Sequence, residues 1–508
     1  MNAKSVITLA VFSVLLCLGI TLLSSCSKSD NNNNHGPDIT FWGLTNNNQL
    51  IQLNARNAGT TLATINVTGL ATNEKLLSID FRPATGQLYA LSSNSRLYII
   101  DIYNNKGNVT AVGSTSFTPM LSGTSASIDF NPTVDRIRLV SNTGQNLRLH
   151  PETGAVAGVD GNINGGTSPA ISSIAYTNNI AGASATELFD IDANTRKLYK
   201  QNPPNDGTLA EVGTLNVNFS GKGGFDINSD NSVILASFVA DGMSRLYTIN
   251  TANAQANLIG NLSTTLIDIA IPTDPVAYSV SESGQLQIFN PSKSISVTNK
   301  TIAGLGAGET VMGIDFRPVN GQLYGVAVTI AGNARLYTFN LATGAAAAVG
   351  SSFLLTAGTS AVGFDFNPTV DRIRLVTNLG QNLRLVPDNG TIAGTDGAIN
   401  PGSPAISGAA YTNNYPGATT TTLFVLNTNK LFKQDPPNNG LLTEIGNLGI
   451  TADSQNGFDI GGASNMGYAV LSIGSNSKLY TINTTTGMAT ASKDFPNKVS
   501  GFAIAPGF

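Results

Sequence analysis

The chain has 508 residues, enough for two or more domains with full-sized cores. Only 11% are charged, against ~25% in an average globular protein; glycine, asparagine, threonine and serine fill the difference and give a neutral-polar, turn-rich surface. A net charge of −4 supplies no basic field, which argues against nucleic acid as a partner.

The first element is an N-terminal apolar run, Val6 to Leu23, behind Lys4. It ends in Leu23-Ser24-Ser25-Cys26, which resembles the lipobox of bacterial lipoproteins. The resemblance implies that residues 1–25 are a signal peptide, that Cys26 is lipidated and that the acyl chains make the membrane a partner. An ordinary signal peptide or an uncleaved anchor is the alternative. Residues 26–38 hold no large apolar side chain and read as a disordered tether. Asp30 is their only acid before Asp38, so outer membrane is expected over inner, within a cell-envelope location. Cys17 and Cys26 are the only cysteines, which leaves the mature chain without thiol catalysis, disulfides or cysteine-based metal sites.

Beyond Asp38 the apolar residues alternate in short runs broken by Gly, Pro and Asn, the pattern of strands. Leu76 to Phe81, Gln87 to Leu91, Arg96 to Ile100 and Val109 to Val112 form one four-strand unit. The same beat restarts at Ile128, Ile174, Phe225, Ile267, Ile314, Phe364, Ala409, Phe458 and Phe502. A spacing of roughly 40 to 50 residues is the blade length of a β-propeller. The opening unit, Phe41 to Leu53, lacks a first strand, and the last, Gly501 to Ile504, has nothing after it. Ile267 to Ile269 and Phe502 to Ile504 can each complete the opening blade of one half and remove exposed edges. The reading is an all-β protein of two tandem five-bladed propellers, residues 39–273 and 274–508. One ten-bladed ring is the alternative.

Ser127 to Gly161 returns almost intact from Gly363 to Gly397. Its motif, D-F-N-P-x-x-D-R-I-R, then G-Q-N-L-R-L and A-G-x-D-G, resembles the bacterial domain-of-unknown-function family numbered 4394. The resemblance covers both halves and implies no activity.

Histidine chemistry is not supported, because His35 lies in the tether and His150 is replaced by Val386 in the second copy. Asp fills the middle of the first strand in seven of ten units: Asp80, Asp129, Asp226, Asp268, Asp315, Asp365 and Asp459. These acids are candidate channel residues, either as cation ligands or hydrolytic carboxylates, or, as preferred here, as hydrogen-bond braces between blades. Arg136 and Arg138 alternate onto one strand face, with Arg148 on the next strand; Arg372, Arg374 and Arg384 repeat them. Planar guanidiniums suit capture of a carboxylate or phosphate. The competing reading pairs them with Asp129 and Asp135, or Asp365 and Asp371, as buried inter-blade ion pairs. Asp190 to Asn194 and Asp226 to Asp230 alternate oxygen ligands but lack a terminal bidentate acid, so they read as Asx turns rather than structural Ca²⁺ loops. No cofactor or metal site is expected. Trp42, and Tyr176 with its repeat Tyr411, are weak candidates for sugar stacking.

The function expected is a lipid-anchored, non-enzymatic binding or scaffold module for protein or glycan. A carboxylate-dependent hydrolase or lyase, with or without a divalent cation, and a purely structural envelope component are the alternatives.

Overall fold

Alternation with period two places successive side chains on opposite faces of a strand, and the Gly, Asn and Pro turns end each run after three to nine residues. In a computed structural model, which describes residues 36–508, these runs form ten antiparallel sheets of four strands each. Cys17, Cys26, His35 and the segment read as a signal peptide lie outside the described residues. Among the described residues no helix is long and apolar enough to cross a membrane.

The first strands of the sheets follow one another in two closed cycles. In ring 1 the order is Asp268–Ala270, Leu76–Phe81, Ala126–Asn131, Ile171–Tyr176 and Phe219–Ile227, which returns to Asp268–Ala270. In ring 2 it is Val499–Ile504, Thr310–Arg317, Val362–Asn367, Gly408–Tyr411 and Gly457–Ile460, returning to Val499–Ile504. Closure comes from late strands joining early ones. Asp268–Ala270 pairs with Thr40–Leu44, and Val499–Ile504 pairs with Ala277–Ser281. The architecture is therefore two five-bladed propellers and not one ring of ten. Each closure leaves no inner sheet edge open to another chain.

Burial grades outward along every blade. All six residues of the inner strand Ile171–Tyr176 are buried, whereas the outer strand Leu209–Thr214 is buried only at its first residue. The core consists of side chains clasped between adjacent blades. Tyr89 meets Phe130 edge-on at 5.1 Å, and Tyr324 meets Phe366 in the same way at 5.3 Å.

The two rings share one compact unit. They touch through the turns that join first to second and third to fourth strands. The Tyr278 hydroxyl donates to Ala84 O (2.9 Å), Gly507 N to Thr85 O (2.9 Å) and Asn104 Nδ2 to Gly462 O (3.1 Å).

Candidate functional site

Two groups of polar side chains stand out against a chain this poor in charge: the acids around each channel and the arginines of the repeated motif.

The seven first-strand acids all face their channels and are all buried. Each accepts a backbone N–H from the next blade. Asp80 takes Phe130 N (2.7 Å), Asp129 takes Tyr176 N (3.0 Å), Asp226 takes Ile271 N (2.5 Å) and Asp268 takes Ile79 N (3.0 Å). In ring 2 Asp315 takes Phe366 N (2.7 Å), Asp365 takes Tyr411 N (2.9 Å) and Asp459 takes Ile504 N (2.6 Å). These bonds stitch first strand to first strand where no sheet ladder can. They also bring the acids together. Oxygens of Asp80, Asp129 and Asp226 lie within 4.8 Å of one another, as do those of Asp315, Asp365 and Asp459.

Crowding and burial both resist ionisation. Burial, then the neighbouring Asp226, pushes Asp80 well above the usual carboxylate range; burial, then Asp80, does the same to Asp129. Burial raises Asp226 to about 8 and Asp459 to about 7. Burial, then Asp459, pushes Asp315 up, and burial, then Asp315 and Asp459, does the same to Asp365. Asp268 rises only to about 6, because the Lys222 ammonium opposes the effect of burial. Protons shared within each triad would relieve the crowding of its carboxyls. Three carboxylate oxygens are also a partial hard-cation set, which falls short of the six to eight ligands calcium takes.

The arginines do not pair as expected. Asp129 and Asp365 contact backbone instead of guanidinium. Asp135 is claimed by Arg82, which is fully buried and donates to both its oxygens, to Glu152 and to Gly321 O of the other ring. Asp371 is held likewise by Arg317. The partner of the motif arginines is the acid of A-G-x-D-G. Asp160 accepts Arg148 through both oxygens, each at 2.9 Å, and Arg138 at 2.5 Å. Asp396 accepts Arg384 at 2.8 and 2.9 Å and Arg374 at 2.7 Å. Burial would raise the Asp396 carboxyl, but the Arg384 and Arg374 guanidiniums outweigh it and hold the group below the usual range.

Each residue of the motif now has a local reason. Arg138 crosses to the next blade, donating to Asn205 Oδ1 (2.7 Å) and to the Tyr176 hydroxyl (3.3 Å). Asn146 receives Arg138 and donates to Gly161 O and to Pro204 O of the next blade. The glycine before the acid is needed for close approach: a Cβ at Gly158 would lie 2.5 Å from Arg148 Nη2, and one at Gly394 2.6 Å from Arg384 Nη2. Asp160, Asp396, Asn205, Asn438 and Arg82 were not among the sequence candidates. The A-G-x-D-G spacing was the signal for the two acids.

Above this hub in ring 2 opens a cleft of about 290 Å³ between the third and fourth blades. Arg372, Arg374 and Arg384 line it, facing Tyr411, Pro436, Pro437 and Asn438, with Asn367 and Val370 at the side. Arg374 is spent on the hub. Arg372 donates only through Nη1, to Asp371 O (2.8 Å), and Arg384 uses Nε and Nη2 on Asp396. Among the described residues, Nε and Nη2 of Arg372 and Nη1 of Arg384 meet no protein acceptor. Ring 1 carries the same residue at all nine lining positions, including Arg136, Arg138, Arg148, Tyr176, Pro203, Pro204 and Asn205. There Arg136 is again bonded only to its own turn, through Val134 O and Asp135 O.

The remaining candidates settle outside this site. His150 is half-exposed beside Glu152 (3.0 Å). Trp42, Tyr176 and Tyr411 are buried, so none is an exposed stacking platform. Asp192 and Asp230 do cap turns, accepting Asn194 N and Ser232 N. Asp190 instead lies within a strand, fully buried, with neither carboxyl oxygen bonded.

The family model described as Domain of unknown function (DUF4394) matches residues 49–270 and 285–505. No curated protein matches the chain. Among solved structures, PorZ, an essential bacterial surface component of the type-IX secretion system of Porphyromonas gingivalis, is similar at 12% identity and a TM-score of 0.23. The likeness covers 88% of this chain and 65% of PorZ, so the chain spans just under two thirds of it. A protein from Lactobacillus plantarum is similar at 16% identity over 65% of this chain and 98% of its own, with a TM-score of 0.26. The extracellular domain of the putative one component system BT4673 from B. thetaiotaomicron is similar at 10% identity, over 91% and 71%, with a TM-score of 0.24.

Proposed function

The chain belongs to the DUF4394 family in two tandem copies, and from that premise we propose that it is a non-enzymatic binding module of the cell envelope, anchored by lipid at Cys26, that holds a protein or glycan ligand through an anionic group. The observation that carries this reading is the arginine cleft of ring 2, with unspent guanidinium donors and all nine of its lining residues repeated in the sequence of ring 1. Folding alone explains the buried hub of Arg138, Arg148 and Asp160. It does not explain Arg136 and Arg372, which brace nothing beyond their own turns. A guanidinium left with two free N–H groups beside a cleft suits bidentate capture of an oxyanion.

A carboxylate-dependent hydrolase would have to use the channel triads. Their oxygens are buried and already accept backbone N–H groups of the next blade, which leaves them little reach to a substrate, and this reading takes second place. A purely structural component would need no open cleft.

The test is an array of envelope glycans and peptides probed with the full chain and with the Arg136→Gln/Arg372→Gln variant. The expected result is retention of an acidic ligand by the parent chain and its loss in the variant at an unchanged melting temperature. A blank array for the parent chain, or retention by the variant, sinks the reading. Metabolic labelling with a fatty acid, lost on Cys26→Ser, tests the anchor.

A further inference from the structure

We propose that the ring 2 cleft takes a phosphomonoester carried on a single sugar unit; this rests on the binding role proposed above and names the anionic group and its carrier. Charge, donors and walls each bear on it.

Three guanidiniums, those of Arg372, Arg374 and Arg384, line the cleft, and none of its nine lining residues is acidic. The acids close by are already engaged. Asp396 takes both Arg374 and Arg384, while Arg317 holds Asp371 through both oxygens. Asp435, beside the proline wall, pairs with Lys433 (2.7 Å). Three guanidiniums set against the one carboxylate of Asp396 leave two positive charges, in a chain whose net charge is −4. Arg374 is only 2% exposed, so water does little to offset that excess. An anion of charge two does. A phosphomonoester carries about −1.5 to −2 at neutral pH, whereas a carboxylate, a sulfate ester or a phosphodiester carries a single charge.

The donors point the same way. Nε and Nη2 of Arg372 lie on one edge of a planar group and match two oxygens of an oxyanion. A carboxylate is satisfied by that edge alone. Two further donors remain: Arg384 Nη1, and Nδ2 of Asn438, whose Oδ1 is held by Arg374 Nη2 (2.7 Å). Neither meets an acceptor among the described residues. The terminal oxygens of a phosphomonoester, three strong acceptors, answer both groups of donors.

The walls select the carrier. The cleft measures about 290 Å³, more than a bare phosphate fills and near the lower bound, ~300 Å³, of small-molecule pockets. Val370, 57% exposed, and the consecutive Pro436 and Pro437 offer apolar surface to the C–H face of one sugar ring. An extended phosphopeptide finds no such support. The strands that carry the arginines, Arg372–Thr377 and Asn382–Leu385, are paired on both sides and leave no edge to extend.

Calorimetry on the full chain tests this with glucose 6-phosphate, glucose 6-sulfate, glucuronate, inorganic phosphate and a phosphoserine peptide as probes. Glucose 6-phosphate should bind at least about tenfold tighter than any of the others, the effect of one added charge-assisted hydrogen bond. Its affinity should survive Arg136→Gln, which removes the repeated arginine of ring 1, and fall about 10–100-fold in the Arg136→Gln/Arg372→Gln double variant. Both guanidiniums bond only their own turns, so an unchanged melting temperature certifies folded protein. Equal binding of glucose 6-sulfate or glucuronate overturns the dianion, and equal binding of inorganic phosphate overturns the sugar. Preference for the phosphoserine peptide makes the partner a protein and overturns the sugar as well. Binding lost with Arg136→Gln alone, or kept by the double variant, overturns the ring 2 site. Failure of all five probes, with an array ligand still lost in the double variant, overturns the phosphate assignment and spares the binding role. Failure of the probes with a blank array removes both.

Discussion

Ring 1 and ring 2 share a fold and a motif but line their channels with different chemistry. Two residues before the mid-strand position of the acids, which holds alanine at 175, 410 and 503, ring 1 places Ser78, Ser127, Ser173, Gly224 and Leu266, whereas ring 2 places Gly313, Gly363, Gly408, Gly457 and Gly501. The serine hydroxyls span blades, Ser78 Oγ accepting Ile128 N (2.9 Å) and Ser127 Oγ accepting Ile174 N (3.1 Å). The glycines let strands close in: a Cβ at Gly313 would stand 2.6 Å from Phe364 Cβ, and one at Gly408 2.9 Å from Phe458 Cβ. Ring 1 also has Lys222, whose ammonium donates to Ala126 O (2.8 Å) and is pushed down to about 8 by burial; Gln455 stands there in ring 2. Against this variation, all nine cleft positions are the same in both rings. A channel needs only some way of joining five strands. The cleft and its hub tolerate no such substitution of means.

That contrast is broken most sharply at the hub. Asp160→Ala should cost about 3–5 kcal/mol, because it strands the buried Arg138 guanidinium as well as releasing Arg148. Asp396→Ala should cost ring 2 the same, since Arg374 is equally buried. Thermal unfolding of the full chain should show two transitions moving apart in opposite order for the two variants. If either substitution is silent, the hub is not a brace and the identity of the two copies needs another cause.

The hub also marks where sequence reading stops. Strand runs, unit length and both closing strands could be read from alternation and from the unmatched ends of the chain, because closure obeys a local count. The ion pairs could not. Arg148 meets Asp160 across an outer strand, Val156–Val159, whose register shifts at Arg148/Leu149. Arg82 meets Asp135 from a neighbouring blade. Asp135 stands nearest the motif arginines in sequence but is taken by Arg82, and the channel-facing position of Asp129 gives it to a backbone N–H.

A smaller effect, of opposite sign, is expected at Asp190. Its oxygens are buried and unbonded, Arg138 being close enough only to oppose the upward push of burial on its carboxyl, and the equivalent residue in ring 2 is Val425 inside an apolar cluster. Asp190→Val should stabilise ring 1 by about 1–3 kcal/mol, the usual cost of a buried unsatisfied polar group. A loss of stability on this change would show that Asp190 has a partner and that ring 1 is specialised there.

The channel acids predict the gentlest effect, a slope of stability with pH. Their folded pKa values lie above the unfolded value of about 4, so the folded chain holds protons that the unfolded chain releases. The stability they contribute is complete below about pH 4 and is lost as pH rises through about 6 at Asp268, 7 at Asp459 and 8 at Asp226. Asp396 has the opposite sign: its carboxyl is held low, and its contribution is lost as pH falls below the unfolded value. Melting temperature should therefore peak in mildly acidic solution and decline toward pH 8. Asp365→Asn keeps an acceptor for Tyr411 N and puts an N–H₂ beside Asp315 and Asp459, where Oδ2 of Asp365 has no protein donor. In that variant the ring 2 transition should lose about 1 kcal/mol or more of its decline between pH 5 and pH 8, the equivalent of one pKa unit, with ring 1 unchanged. An undiminished ring 2 slope would mean that the triad is already ionised at neutral pH, which requires a bound cation in the ring that has no lysine of its own at that position.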